Sequence, residues 1–145
     1  FPFDAKGLLA TAINDPNPVL FFEHKALYRS IYQDVPEEYY TLPLGKASVL
    51  QAGNDVSIVT YGAGVHWALE VLDEHKEISA DLIDLRTLAP IDIDSVYNSI
   101  KKTGKLIIED FAPYLGWHLV LHEVLTIPNE YQSCRLVIFV DLDYQ

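Results

Sequence analysis

The apolar positions of this chain change their period several times, and each change marks an element. Leu8, Leu9, Ala12 and Ile13 recur at helical spacing behind Asp4, whose carboxylate can accept the free N–H groups of a first helical turn. That helix is expected to stop near Asn14, because Pro16 disfavours helical geometry at Asp15. Val19-Leu20-Phe21-Phe22 is apolar at every position and predicts a short buried strand. Between Tyr28 and Lys46 no period survives. Pro36, Glu37, Glu38, Pro43 and several tyrosines give a linker lying over a surface, its tyrosines half buried.

A second rhythm begins after Gly45. Residues 47–50 and 56–60 form two strand patterns separated by Gly53-Asn54-Asp55, which predicts a hairpin. Gly62 and Gly64 precede a helical face of Val65, Ala68, Leu69, Val71 and Leu72. Residues 80–85 read as a strand, and Asp92 caps a helix through Val96 and Ile100 that Gly104 ends as a left-handed cap. Residues 105–109 form another strand pattern, 117–127 have helical spacing, and 136–140 close as a strand. Strands alternating with helices, each strand nearly uninterrupted in its apolar residues, imply a mostly parallel sheet covered on both faces. The expected class is α/β, a three-layer α/β/α sandwich with one antiparallel strand contributed by the opening hairpin.

Composition narrows the function classes. Half of the 145 residues are hydrophobic and 12% are aromatic, enough for a packed core. No apolar run approaches the roughly 18 residues that span a bilayer. The formal charge of −11 argues against nucleic-acid or anionic-membrane binding, which need clustered Lys and Arg. It suits either plain solubility or a basic protein partner. The single Cys134 excludes an internal disulfide and fits a reducing compartment. A chain without Met that opens on Phe1-Pro2-Phe3-Asp4 is expected to be a piece of a longer polypeptide.

The motifs yield no active site. Gly62-Ala63-Gly64 sits at a strand-to-helix turn, but Trp67 occupies the place of the third glycine that a dinucleotide fingerprint needs for close packing, so a tight turn is expected. His118 and His122 share a helical face without a third ligand or a Glu directly after the first His. His24, Lys25, Tyr28 and Arg29 follow the 19–22 run and could bind an anion or pack a domain junction; junction packing is favoured because no phosphate loop accompanies them. Cys134 has no nucleophile's partners and is expected to be inert.

Several stretches carry a resemblance. Asp4-Ala5-Lys6-Gly7-Leu8-Leu9, Asn17-Pro18 and Phe21-Phe22-Glu23-His24-Lys25-Ala26-Leu27-Tyr28-Arg29 resemble the end of the pyrimidine-binding domain of 2-oxo acid dehydrogenase β subunits. Val35-Pro36-Glu37-Glu38 and Leu42-Pro43-Leu44-Gly45-Lys46-Ala47 resemble the connector of that family. Asp55 to Gly62, Val65-His66, Ile83 to Asp92 and Lys102-Thr103-Gly104-Lys105 resemble its transketolase-type C-terminal domain. The resemblance covers about residues 1–110 and weakens after Glu109. It divides the chain into the end of the pyrimidine-binding domain (1–28), an interdomain linker (29–45) and a transketolase-type C-terminal domain (46–145). The Phe21–Arg29 stretch is closer to branched-chain (2-oxoisovalerate) members than to pyruvate members.

The resemblance implies a parent enzyme that decarboxylates a 2-oxo acid on thiamine diphosphate and Mg²⁺ and passes the acyl group to lipoamide. It implies that the catalytic and cofactor-binding residues lie outside this chain, which is then silent on its own. Ala12, Asp15 and Asn17 match a segment that helps hold a structural potassium ion in branched-chain members. Their carbonyl, carboxylate and amide oxygens are hard ligands suited to it, and a plain helix-to-strand turn is the competing reading. The implied partners are an α subunit or α-like half, a second β subunit and the dihydrolipoyl acyltransferase core, in bacterial cytoplasm or the mitochondrial matrix. The rival readings are the same domain of a pyruvate dehydrogenase β subunit or another transketolase-like enzyme, and a non-enzymatic acidic binding module.

Overall fold

The computed structural model describes residues 1–110 and 135–140, which fall into two compact units, Phe1–Leu44 and Gly45–Gln145. In the first unit, α1 runs from Pro2 to Asn14 and a single turn, α2, from Leu27 to Ser30. Helix α1 begins three residues earlier than a cap at Asp4 would set it. Pro2 sits in the first turn, where its missing N–H costs nothing, so Asp4 lies inside the turn, buried, rather than capping it. The far end falls where expected, with Asp15 turned to extended geometry (φ −69°, ψ 131°) ahead of Pro16.

Residues 36–42 lie along α1 as a strap. Lys6 Nζ donates to the carbonyls of Pro36, Glu37 (3.3 Å) and Glu38 (3.1 Å) and sits 5.1 Å from the Tyr40 ring centroid. Tyr40 stacks on Phe3 at 4.7 Å and donates its hydroxyl to the Phe3 carbonyl. The Leu42 N–H reaches the Gly7 carbonyl at 3.2 Å. A methyl group on Gly7 would stand 2.7 Å from Leu42 and 2.8 Å from Tyr40, so only glycine allows this approach. Tyr40 is partly buried, but Tyr32 and Tyr39 stand out in solvent, contrary to the half-buried tyrosines expected of this stretch. The expected strand at 19–22 does not form. A strand needs a partner for its backbone N–H and C=O groups, and residues 19–22 make no backbone–backbone hydrogen bond among the described residues.

The second unit is a five-stranded sheet in the order β1-β3-β2-β4-β5, built from Ser48–Gln51 (β1), Val56–Thr60 (β2), Ala80–Asp84 (β3), Lys105–Asp110 (β4) and Arg135–Val140 (β5). Strand β1 is antiparallel to β3 and the other pairings are parallel, so the expected α/β class with one antiparallel strand holds. The β1–β2 hairpin does not. The loop between them folds over the start of β3 instead: Gly53 N–H donates to Asp81 Oδ1 and Asp55 N–H to the Ser79 carbonyl. A Cβ on Gly53 would come within 2.3 Å of the Ser79 carbonyl oxygen, so the glycine lets the loop press there and carries β1 past β2 to pair with β3.

Helices α3 (Ala63–Glu74) and α4 (Ile93–Thr103) cover opposite faces. Ala68 and Leu72 of α3 pack with Ala80 and Leu82, while Val96 and Ile100 of α4 pack with Val59, Ile83, Leu85, Leu106 and Ile108. All five residues of β3 are buried, as an interior strand of a doubly covered sheet must be. Each fully buried Leu or Ile there contributes about 1.5–3 kcal/mol. Helix α4 carries both of its expected caps. Asp92 accepts from the Ser95 N–H at its start, and Gly104 (φ 66°) ends it in left-handed geometry, with Lys101 and Lys102 on the negative end of the helix dipole. No described helix is long and apolar enough to cross a membrane.

Candidate functional site

The most developed polar assembly among the described residues is buried between β2, β3 and α4. Asp81, 3% exposed, interrupts the apolar run of β3 on the face toward α4. Its Oδ1 accepts from Lys102 Nζ at 2.6 Å and from the Gly53 N–H at 3.3 Å, and its Oδ2 accepts from the Ser99 hydroxyl. Ser57 Oγ lies 2.6 Å from both Ser99 Oγ and Thr103 Oγ1, extending the network to β2. Ser99, Lys102 and Thr103 meet one strand face because they recur at helical spacing along α4. Burial pushes the Asp81 carboxyl up, but the hydrogen bonds from Lys102, Ser99 and Gly53, with the Lys102 charge, outweigh it and hold the group below its ordinary value. Each acceptor atom of the carboxylate is met by a donor of this chain. The assembly ties the β1–β2 loop, β3 and α4 together, and its serines are sealed from any substrate.

A second carboxylate repeats the theme at the start of α4. Asp92 is buried and accepts from the Ala47 N–H (3.0 Å), the Ser95 N–H and the Ser95 hydroxyl (2.9 Å), with Lys46 Nζ at 3.9 Å. Burial raises its pKa, and those donors lower it by more.

Of the residues singled out from sequence, Asp15 and Asn17 come together. Asp15 Oδ1 accepts from the Asn17 N–H (2.9 Å) and side-chain amide (3.0 Å), a turn closed by the carboxylate. Ala12 stands in the last turn of α1, whose carbonyls carry the negative end of the helix dipole. Asp15 Oδ1 is thus engaged by Asn17. Glu23 hydrogen-bonds the Tyr28 hydroxyl and pushes the phenol up from its ordinary 10.0, and Lys25 and Arg29 are exposed. Gly62 (φ 60°) makes the tight turn into α3, as expected of the Gly62-Ala63-Gly64 stretch. His118, His122, Cys134 and the 117–127 helical pattern lie outside the described residues. An open groove of about 490 Å³ on α3 is lined by Leu69, Glu70, Asp73 and Glu74.

A diphosphate–Mg²⁺ group needs a cluster of hard ligands. Among the described residues no three His, Cys, Asp or Glu side chains converge to hold a metal, and the buried carboxylates Asp81 and Asp92 are saturated by this chain's own donors.

An antiparallel edge strand on a parallel sheet, with the order β1-β3-β2-β4-β5 and helices on both faces, defines an α/β domain with a mixed sheet. Residues 45–118, just over half of the chain, match the family described as transketolase, C-terminal domain, and the chain belongs to that family. Its relatives include the pyruvate dehydrogenase E1 component subunit beta of Bacillus subtilis (strain 168), 55% identical over 109 residues, which are 74% of this chain and 34% of the relative. The 2-oxoisovalerate dehydrogenase subunit beta of the same organism is 48% identical over 109 residues, 74% of this chain and 33% of the relative. A solved structure, a split-gene transketolase in an inactive beta4 tetramer, superposes with a TM-score of 0.58 at 26% identity, covering 75% of this chain and 37% of that one. The chain thus spans about a third of the length of the relatives it matches.

Proposed function

We infer that this chain is part of the β subunit of a thiamine-diphosphate-dependent 2-oxo acid dehydrogenase and serves assembly and docking rather than chemistry. The observation that carries the reading is the 55% identity over 109 residues to a pyruvate dehydrogenase β subunit, on a sheet of the transketolase type. In this reading the parent enzyme decarboxylates a 2-oxo acid and acylates lipoamide, with the cofactor and Mg²⁺ held by other polypeptide. The α subunit and a second β subunit are its partners. A net charge of −11 complements a basic docking module of an acyltransferase core. Ala12, Asp15 and Asn17 form a corner suited to a structural potassium ion. The site of action is bacterial cytoplasm or the mitochondrial matrix.

Two observations pull the substrate in different directions. The Phe21–Arg29 stretch favours a branched-chain 2-oxo acid, whereas the 55% against 48% identity favours pyruvate. Thermal-shift titration of the chain with thiamine diphosphate and Mg²⁺ tests the division of labour. The melting temperature is expected to stay constant, and a saturable rise would place a cofactor site inside this chain.

A further inference from the structure

The carboxyl end of β2 holds polar groups that this chain does not satisfy. Thr60, the last residue of that strand, is 1% exposed, and its Oγ1 is buried with no hydrogen-bond partner. It shares a strand face with Val56 and Ile58, which pack with Ala68, Leu69 and Leu72 of α3. Its hydroxyl is therefore aimed at the α3 side of the sheet, below the end where that helix starts three residues later. Helix α3 is 12 residues long, and the N–H groups of Ala63, Gly64 and Val65 in its first turn have no partner within the helix. Gly62 before them has no side chain to cap them, and the turn holds no acidic residue. All three residues are buried, while Gly62 is exposed and has nothing within 4 Å of where a Cβ would stand. The positive end of the helix dipole thus opens beside Gly62 without a counter-charge in its own turn. The place is also the switch point of the sheet: β2 leads through α3 to β3 on one side, and β4 and then β5 lie on the other. Ligands of open α/β sheets sit outside the strand ends at such a point.

We propose that the first turn of α3 and Thr60 form a seat for one phosphate-type oxyanion. The amides of Ala63, Gly64 and Val65 donate to it from the helix, and the Thr60 hydroxyl donates from the strand that closes its floor. An oxyanion is the fitting class because the amides can only donate, they stand at a positive dipole end, and a tetrahedral ion has an acceptor for each of them. A dinucleotide does not fit, since Trp67 stands where its third glycine is needed. Entry is past Gly62, whose missing side chain leaves the backbone open to approach. The seat lies wholly within the second unit and is independent of the assembly role proposed above.

The test is an amide chemical-shift titration of the 145-residue chain at constant ionic strength, with inorganic phosphate and, separately, glycerol 3-phosphate as a phosphomonoester. Saturable shifts are expected at Ala63, Gly64 and Val65, and the tighter of the two ligands tells whether the free ion or an ester is the source. Thr60→Val removes the hydroxyl and should weaken binding roughly ten-fold or more, the worth of a hydrogen bond to a charged group. Its unfolding transition in phosphate-free buffer should stay at or above the parent's, because no bond is lost. Thr60→Ser keeps the hydroxyl and should bind like the parent. No saturable shift at these amides with either ligand would overturn the inference. So would shifts that Thr60→Val leaves undiminished, which mean non-specific attraction to a helix end only. A Thr60→Val chain clearly less stable than the parent in phosphate-free buffer would mean that a structural water holds the hydroxyl, and would overturn it as well.

Discussion

Removing the Asp81 carboxylate is the perturbation with the largest and most specific expected consequence. In Asp81→Ala the Gly53 N–H, buried against β3, loses its side-chain acceptor, which costs about 1–2 kcal/mol. The Ser99 hydroxyl loses a charge-assisted partner inside the sheet–helix interface, a further loss of about 1–2 kcal/mol, softened by Ser57 at 2.6 Å. Lys102 is 39% exposed and can return to water, so its lost ion pair contributes only about 0.5 kcal/mol. Together these come to about 3 kcal/mol, a large share of the 5–15 kcal/mol typical of a domain. Asp81→Asn keeps the shape and part of the hydrogen bonding, and should lose about half as much. The pH dependence supplies a second signature. The folded-state pKa of Asp81 lies below its ordinary value of 3.8, so its stabilisation is fully present above that value and is lost as the pH falls through the lowered one. Urea unfolding followed by circular dichroism at pH 7, and stepwise down to pH 2, measures both effects. A loss below about 1 kcal/mol for Asp81→Ala, or an acid limb unchanged in Asp81→Asn, would refute the network as a structural tie.

Three further outcomes test the local arguments. Asp92→Ala removes the α4 cap and the acceptor of the Ala47 N–H, and should cost about 1–2 kcal/mol in urea unfolding at pH 7. Gly104→Ala forces a methyl-bearing residue into φ 66° with nothing else in its way, so the melting midpoint should fall by the equivalent of about 1 kcal/mol. Gly53→Ala meets backbone atoms within 2.4 Å and should cost more than Gly104→Ala, with hydrogen-exchange protection lost first in residues 48–51 and 80–84; equal losses for the two glycines would contradict the close-approach argument.

What could be read in the sequence was whatever short-range chemistry decides. Both ends of α4 were legible because Asp92 and Gly104 act within one turn of the helix they bound. The parallel sheet was legible because β3 and β4 are apolar on both faces. The partner of β1 was not, since it depends on Gly53 pressing on Ser79 and Ala80, a contact across more than twenty residues. The run at 19–22 has strand character, but pairing is a property of two segments, and among the described residues its backbone pairs with none. The Asp81 network left one signal that could have been used: a carboxylate flanked by Ala80, Leu82 and Ile83 in a buried strand needs partners, and Ser99 and Lys102 lie three apart on the next helix. The Lys6 strap left none, because the carbonyls that hold it carry no side-chain signature.

The central claim is that this fold scaffolds a reaction centre that other polypeptide completes. Decarboxylation of pyruvate and of 2-oxoisovalerate, read by reduction of an artificial electron acceptor with thiamine diphosphate and Mg²⁺ present, tests it most directly. The chain alone should give the buffer rate, and turnover should arise only when an α subunit and the remaining β polypeptide are supplied together. Saturable turnover by these 145 residues alone would contradict the account.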